Sequence, residues 1–60
     1  MDNWFVFDIG DRVRVRFAGD IIVQVAAQLR DERGKNYKVI WWQDGHRHCE
    51  WLLEWELEAV

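Results

Sequence analysis

Hydrophobic and polar positions alternate strictly in DRVRVRF, with Val13, Val15 and Phe17 on one side and Arg12, Arg14 and Arg16 on the other. A period of two predicts a half-buried strand. The pairs Gly10-Asp11 and Gly19-Asp20 supply the turn chemistry that ends it on either side. IIVQVAAQL, Ile21 to Leu29, opens with β-branched residues and predicts a second strand, with softening into helix near Ala26-Ala27 as the alternative. The polar loop RDERGKN, whose Gly34 suits a hairpin turn, bounds it. YKVIWW predicts a third strand of aromatic and β-branched residues. Asp44-Gly45 fits the type I′ turn that matches strand twist, so HRHCEWL returns as a fourth strand. In the tail LEWELEAV, a short helical turn around Glu54 to Glu56 followed by a brief closing strand fits the pattern.

Short strands joined by tight turns, with no long helical period, predict an all-β protein built as a small barrel. The expected form is a five-stranded SH3-like barrel, a single domain over residues 1–60 with a short helical turn before the last strand. NWFVF is expected to lie across one end.

Composition narrows how such a chain stays folded. A 60-residue chain buries only about 60% of the surface its unfolded form exposes. Half of the residues are hydrophobic and five are Trp, which excludes a disordered chain. The lone Cys49 cannot make an intrachain disulfide. Dense aromatic packing, a metal or self-association must then supply the missing stability. No apolar run approaches the roughly 20 residues of a membrane span, and no signal-peptide pattern opens the chain, so the expected location is the cytoplasm. The net charge of −3 argues against nucleic-acid binding through bulk electrostatics.

YKVIWWQDG followed by EWLLEWELE resembles the Tudor and chromo-barrel group of SH3-like domains. Tyr37, Val39 and Trp41 match the Tyr-x-Val-x-aromatic third strand, and Glu50, Trp51 and Leu57 match the stretch leading into the last one. The resemblance implies an aromatic cage that holds methylated lysine by cation–π attraction, with Tyr37 and Trp41 as its remnant here. His48 stands where that group places another cage aromatic, and Leu53 replaces its proline. GDRVRV, the Gly-containing loop, Tyr37 and ELE are also similar to the plasmid-type type II dihydrofolate reductases. Cys49, Glu50, Trp51 and Leu52 occupy the place of their Val-Gln-Ile-Tyr motif. With the substrate-binding residues absent, that likeness implies reliance on oligomerisation and not the activity.

With Tyr37, Val39 and Trp41 turned inward, Lys38, Ile40 and Trp42 turn outward. On the return strand Cys49 and Trp51 share one face, and His46, His48, Glu50 and Leu52 share the other. Ile40, Trp42 and Leu52 are then expected to form an exposed patch, serving as a subunit interface or a ligand groove. A register shifted by one would instead bury Trp42. His46, His48 and Glu50 recur on one strand face and could converge on a metal, but solvated polar residues on a strand face are the leading explanation, and no cofactor or metal is expected. The chain has no serine or threonine, and Cys49 has no evident activating neighbour, so no enzyme is expected.

Arg12, Arg14 and Arg16 either pair with the C-terminal glutamates across the first and last strands or form a stripe that contacts nucleic acid. The expected function is a non-enzymatic interaction module that forms a homo-oligomer and binds a protein partner through the patch. Nucleic-acid binding through the arginine stripe is the alternative.

Overall fold

The computed structural model of the chain describes residues 4–19 and 21–60. Asn3 of NWFVF and Asp20 of the second Gly-Asp turn lie outside the described residues. Five strands, β1 (Arg12–Val15), β2 (Ile22–Asp31), β3 (Gly34–Gln43), β4 (His46–Leu53) and β5 (Leu57–Ala59), form one antiparallel sheet in the order β4-β3-β2-β1-β5. A 3-10 turn, Glu54–Glu56, separates β4 from β5. Among the described residues no helix is long and apolar enough to cross a membrane.

The β3–β4 hairpin turns through Asp44 and Gly45 at φ 54° and 78°, the left-handed conformations of a type I′ turn. The β2–β3 connection is shorter than RDERGKN suggests, because both strands run on until Asp31 pairs with Gly34. Asp31 makes this possible: its carboxylate accepts hydrogen bonds from the Arg33 backbone N–H at 2.8 Å and from Asn36 Nδ2 at 3.0 Å. The Arg33 backbone N–H does most to hold the Asp31 carboxyl below its ordinary pKa.

Val13, Val23, Val25, Tyr37, Val39 and Leu57 share the inner face with Phe7 and make the core. Phe17 does not join them. β1 ends at Val15, where the Ala18 N–H bonds back to the Val15 carbonyl, and Phe17 is 76% exposed, edge-on to Trp55 with ring centres 5.9 Å apart. Near Ala26 the chain does not soften into helix. The register steps from Val25↔Val39 to Ala27↔Lys38, a β-bulge that leaves Ala26 over. Beyond it Gln28 lies opposite Tyr37, and its Nε2 donates to the Phe7 carbonyl at 2.7 Å.

Phe5 and Phe7 meet the Tyr37 ring edge-on at 5.6 and 5.4 Å and cover that end of the core. Such pairs add about 0.5–1.5 kcal/mol each beyond the area they bury. The Tyr37 hydroxyl accepts from the backbone N–H groups of Val6 and Phe7. It donates to Glu54 Oε1 at 2.7 Å. One buried phenol therefore ties the N-terminal segment, the middle of the sheet and the 3-10 turn together.

Candidate interaction surface

The outer face of the sheet carries apolar residues that the core does not need. In β3 the alternation holds: Tyr37 and Val39 are buried, while Trp42 is 71% exposed on the opposite side, so the register is the unshifted one. Directly paired residues of an antiparallel ladder project to the same side. The pairs Ile40↔Cys49, Trp42↔Arg47 and Lys38↔Trp51 therefore place Cys49, Arg47 and Trp51 on the outer face. Gln24 and Arg12 join them through Gln24↔Ile40 and Arg12↔Gln24, and Ile22 follows two residues from Gln24.

Leu52 is not part of this surface. It pairs with Tyr37, turns to the inner face and packs against the core, and Trp51 takes its place beside Lys38. The missed signal lies in the Asp44-Gly45 turn. A two-residue turn sets Gln43 opposite His46, and counting back from that pair brings Trp51 to Lys38 and Leu52 to Tyr37. The outer patch is Ile22, Ile40, Trp42 and Trp51.

The ladder between β2 and β3 ends at Gln24↔Ile40, although β2 begins at Ile22 and β3 runs to Gln43. The strands part there, opening a groove of about 580 Å³ lined by Ile22, Gln24, Ile40, Trp42 and, to one side, Arg12. A smaller cleft of about 160 Å³ opens on the inner side, among Val15, Ala18, Ile21, Trp41, Glu50 and Leu52.

The aromatic-cage expectation fails at Tyr37. That side chain is fully buried and its hydroxyl is engaged by Val6, Phe7 and Glu54, so no ligand can reach its ring. Trp41 is half-buried against the core and stacks on the His48 imidazole at 5.4 Å. Its indole N–H donates to Gln43 Oε1 at 3.3 Å. His46, His48 and Glu50 lie exposed along one side of β4. Among the described residues no three His, Cys, Asp or Glu side chains are grouped to hold a metal ion.

The arginines separate. Arg14 lies opposite Glu58 in the β1–β5 ladder and pairs with its carboxylate at 3.6 Å. Arg16 follows the end of β1, where its backbone N–H bonds to the Glu56 carbonyl. Arg12 lines the groove beside Trp42. No family model, no curated protein and no solved structure matches the chain.

Proposed function

We propose that the chain is a non-enzymatic interaction module that self-associates and meets a protein partner through Ile22, Ile40, Trp42 and Trp51 on the outer face of its sheet. The observation that carries this reading is Trp42, a large apolar side chain 71% exposed near the turn end of a regular hairpin. Contiguous exposed apolar groups of this kind mark interfaces, and Trp is among the residues that dominate their energetics. Lys38, Arg47 and Arg12 rim the patch and set orientation by charge. The strand order with a 3-10 turn before β5 supports an SH3-like barrel that stays open between β4 and β5. The exposed free thiol of Cys49 suits a reducing cytoplasm.

Salt tests the apolar mechanism. Association through these side chains holds its affinity when sodium chloride is raised from low to high concentration in sedimentation equilibrium. Dissociation at high salt would mean that charge and not apolar burial carries the contact.

Nucleic-acid binding is the second reading, favoured by Arg12 and Trp42 lining the same groove, where a phosphate contact and a stacked base are compatible. It predicts affinity for a single-stranded oligonucleotide that falls steeply with salt. The Arg14–Glu58 pair and the net charge of −3 weigh against it.

A further inference from the structure

β4 is an edge of the sheet. Among the described residues its only strand neighbour is β3, and residues 46–51 are all exposed. Its pairing with β3 runs from His46 to Leu53 without a bulge, and the chain contains no proline. An edge this long and regular, with neither a bulge nor a proline to interrupt it, is a template for a strand whose charges complement Arg47 and Glu50.

The direction of the free backbone groups follows from the turn. Asp44-Gly45 makes Gln43 and His46 the hydrogen-bonded pair that closes the hairpin, and such pairs recur at every second residue. His46, His48, Glu50 and Leu52 therefore turn their N–H and C=O groups toward β3. Arg47, Cys49 and Trp51 turn theirs to the open edge.

We infer that this edge pairs with β4 of a second copy of the chain, antiparallel about a two-fold axis at Cys49. The inference rests on the self-association reading and names its geometry. Antiparallel pairing of the outward groups allows only registers that shift in steps of two, and the side chains choose among them. With Cys49 opposite Cys49 of the second copy, Arg47 faces Trp51 of that copy, a guanidinium over an indole. On the other side of the strands His48 faces Glu50 of the second copy. Centring the pair on Glu50 would set two carboxylates against each other, and centring it on His48 would set two imidazoles together. The chosen register also joins the two outer faces, so that Trp42 and Trp51 of both copies lie on one continuous surface.

Amide hydrogen exchange followed by NMR reads this directly. At concentrations where the reduced chain is associated, the Arg47, Cys49 and Trp51 amides exchange about tenfold slower or more than at dilution. The His48 and Glu50 amides, already bonded to β3, change far less. A thiol test fixes the register. Hydrogen-bonded antiparallel pairs hold their Cα atoms about 5.5 Å apart, within the disulfide range. Diamide, reduced to the hydrazine as it takes the two thiol hydrogens, converts wild type to a disulfide dimer. Arg47→Cys in a Cys49→Ser background does not crosslink, because its two thiols then lie about 14 Å apart along the strands.

An oligomer whose Arg47, Cys49 and Trp51 amides stay fast, or in which the Arg47→Cys chain crosslinks as readily as wild type, overturns the β4 pairing and leaves self-association standing through another surface. A reduced chain that is monomeric at every concentration overturns both.

Discussion

The Tyr37 hydroxyl and the Glu54 carboxylate meet at 2.7 Å at the junction of the sheet and the 3-10 turn, with the N–H groups of Val6 and Phe7 bonded to the same oxygen. Tyr37→Phe keeps the ring and its edge-on contacts but leaves those partners without their bonds. The expected cost is about 1–3 kcal/mol of unfolding free energy, measured by urea denaturation. A change below about 0.5 kcal/mol would show that the segment carrying Phe5 and Phe7 docks through its rings alone.

The same phenol sets an alkaline limit. Burial, with the hydrogen bond to Glu54 adding to it, raises the Tyr37 pKa from 10.0 to about 12. Between those values the folded chain keeps a proton that the unfolded chain has lost, so this contribution is complete below pH 10 and is lost as pH rises toward 12. The two-unit difference corresponds to about 2–3 kcal/mol. Wild type therefore loses stability over that window more steeply than Tyr37→Phe in parallel denaturant titrations, and equal slopes would contradict the assignment.

Asp31 works at the other end of the pH scale. Its carboxylate is favoured in the folded chain, chiefly by the Arg33 backbone N–H, so its contribution is present above its unfolded pKa and falls away on acidification. Asp31→Ala is expected to melt at lower temperature than wild type at neutral pH and to show a flatter decline below about pH 4. Identical acid limbs would place the acid sensitivity elsewhere.

Neighbouring residues of β4 separate stability from association. Leu52→Ala removes a side chain packed against the core and is expected to cost roughly 1–3 kcal/mol in folding, less than a fully buried leucine. Trp51→Ala leaves the core untouched and weakens self-association instead. Denaturation and sedimentation of both variants give opposite rankings if the register Tyr37↔Leu52 holds.

Gly45 sits at φ 78° in the type I′ turn, with open space where a Cβ would point. Gly45→Ala therefore loses stability through backbone strain alone, about 1 kcal/mol, and Gly45→Val loses more because β-branching narrows the choice further. Equal stability of wild type and Gly45→Val would mean that the hairpin turns differently.

What was legible in the sequence was local. The Asp44-Gly45 turn, the alternation of Val13 and Val15 against the arginines, and the short turn at Glu54–Glu56 all depend on residues within a few positions of one another. Pairing between the arginines of β1 and the C-terminal glutamates was legible as one of two readings, because it needs only that the first and last strands be neighbours, but which residues pair, Arg14 with Glu58, was not. Features set by distant partners were not. Leu52 belongs to the inner face because a turn that ends seven residues earlier fixes its register. Tyr37 matches a cage position by motif, yet Phe5, Phe7 and Glu54 enclose it from both ends of the chain. The bulge at Ala26 has no turn residue to announce it, since alanine suits either backbone, and it appears only where β2 must stay in step with β3.

The central claim is that the outer face of the sheet joins copies of this chain. Its most direct test is the solution mass of wild type and Trp51→Ala at micromolar concentration, by light scattering after size exclusion under reducing conditions. An oligomer of wild type and a folded monomer of Trp51→Ala, whose core is untouched because the lost side chain lies on the exposed outer face, is the predicted result. Two monomers, or an oligomer unaffected by the substitution, would contradict it.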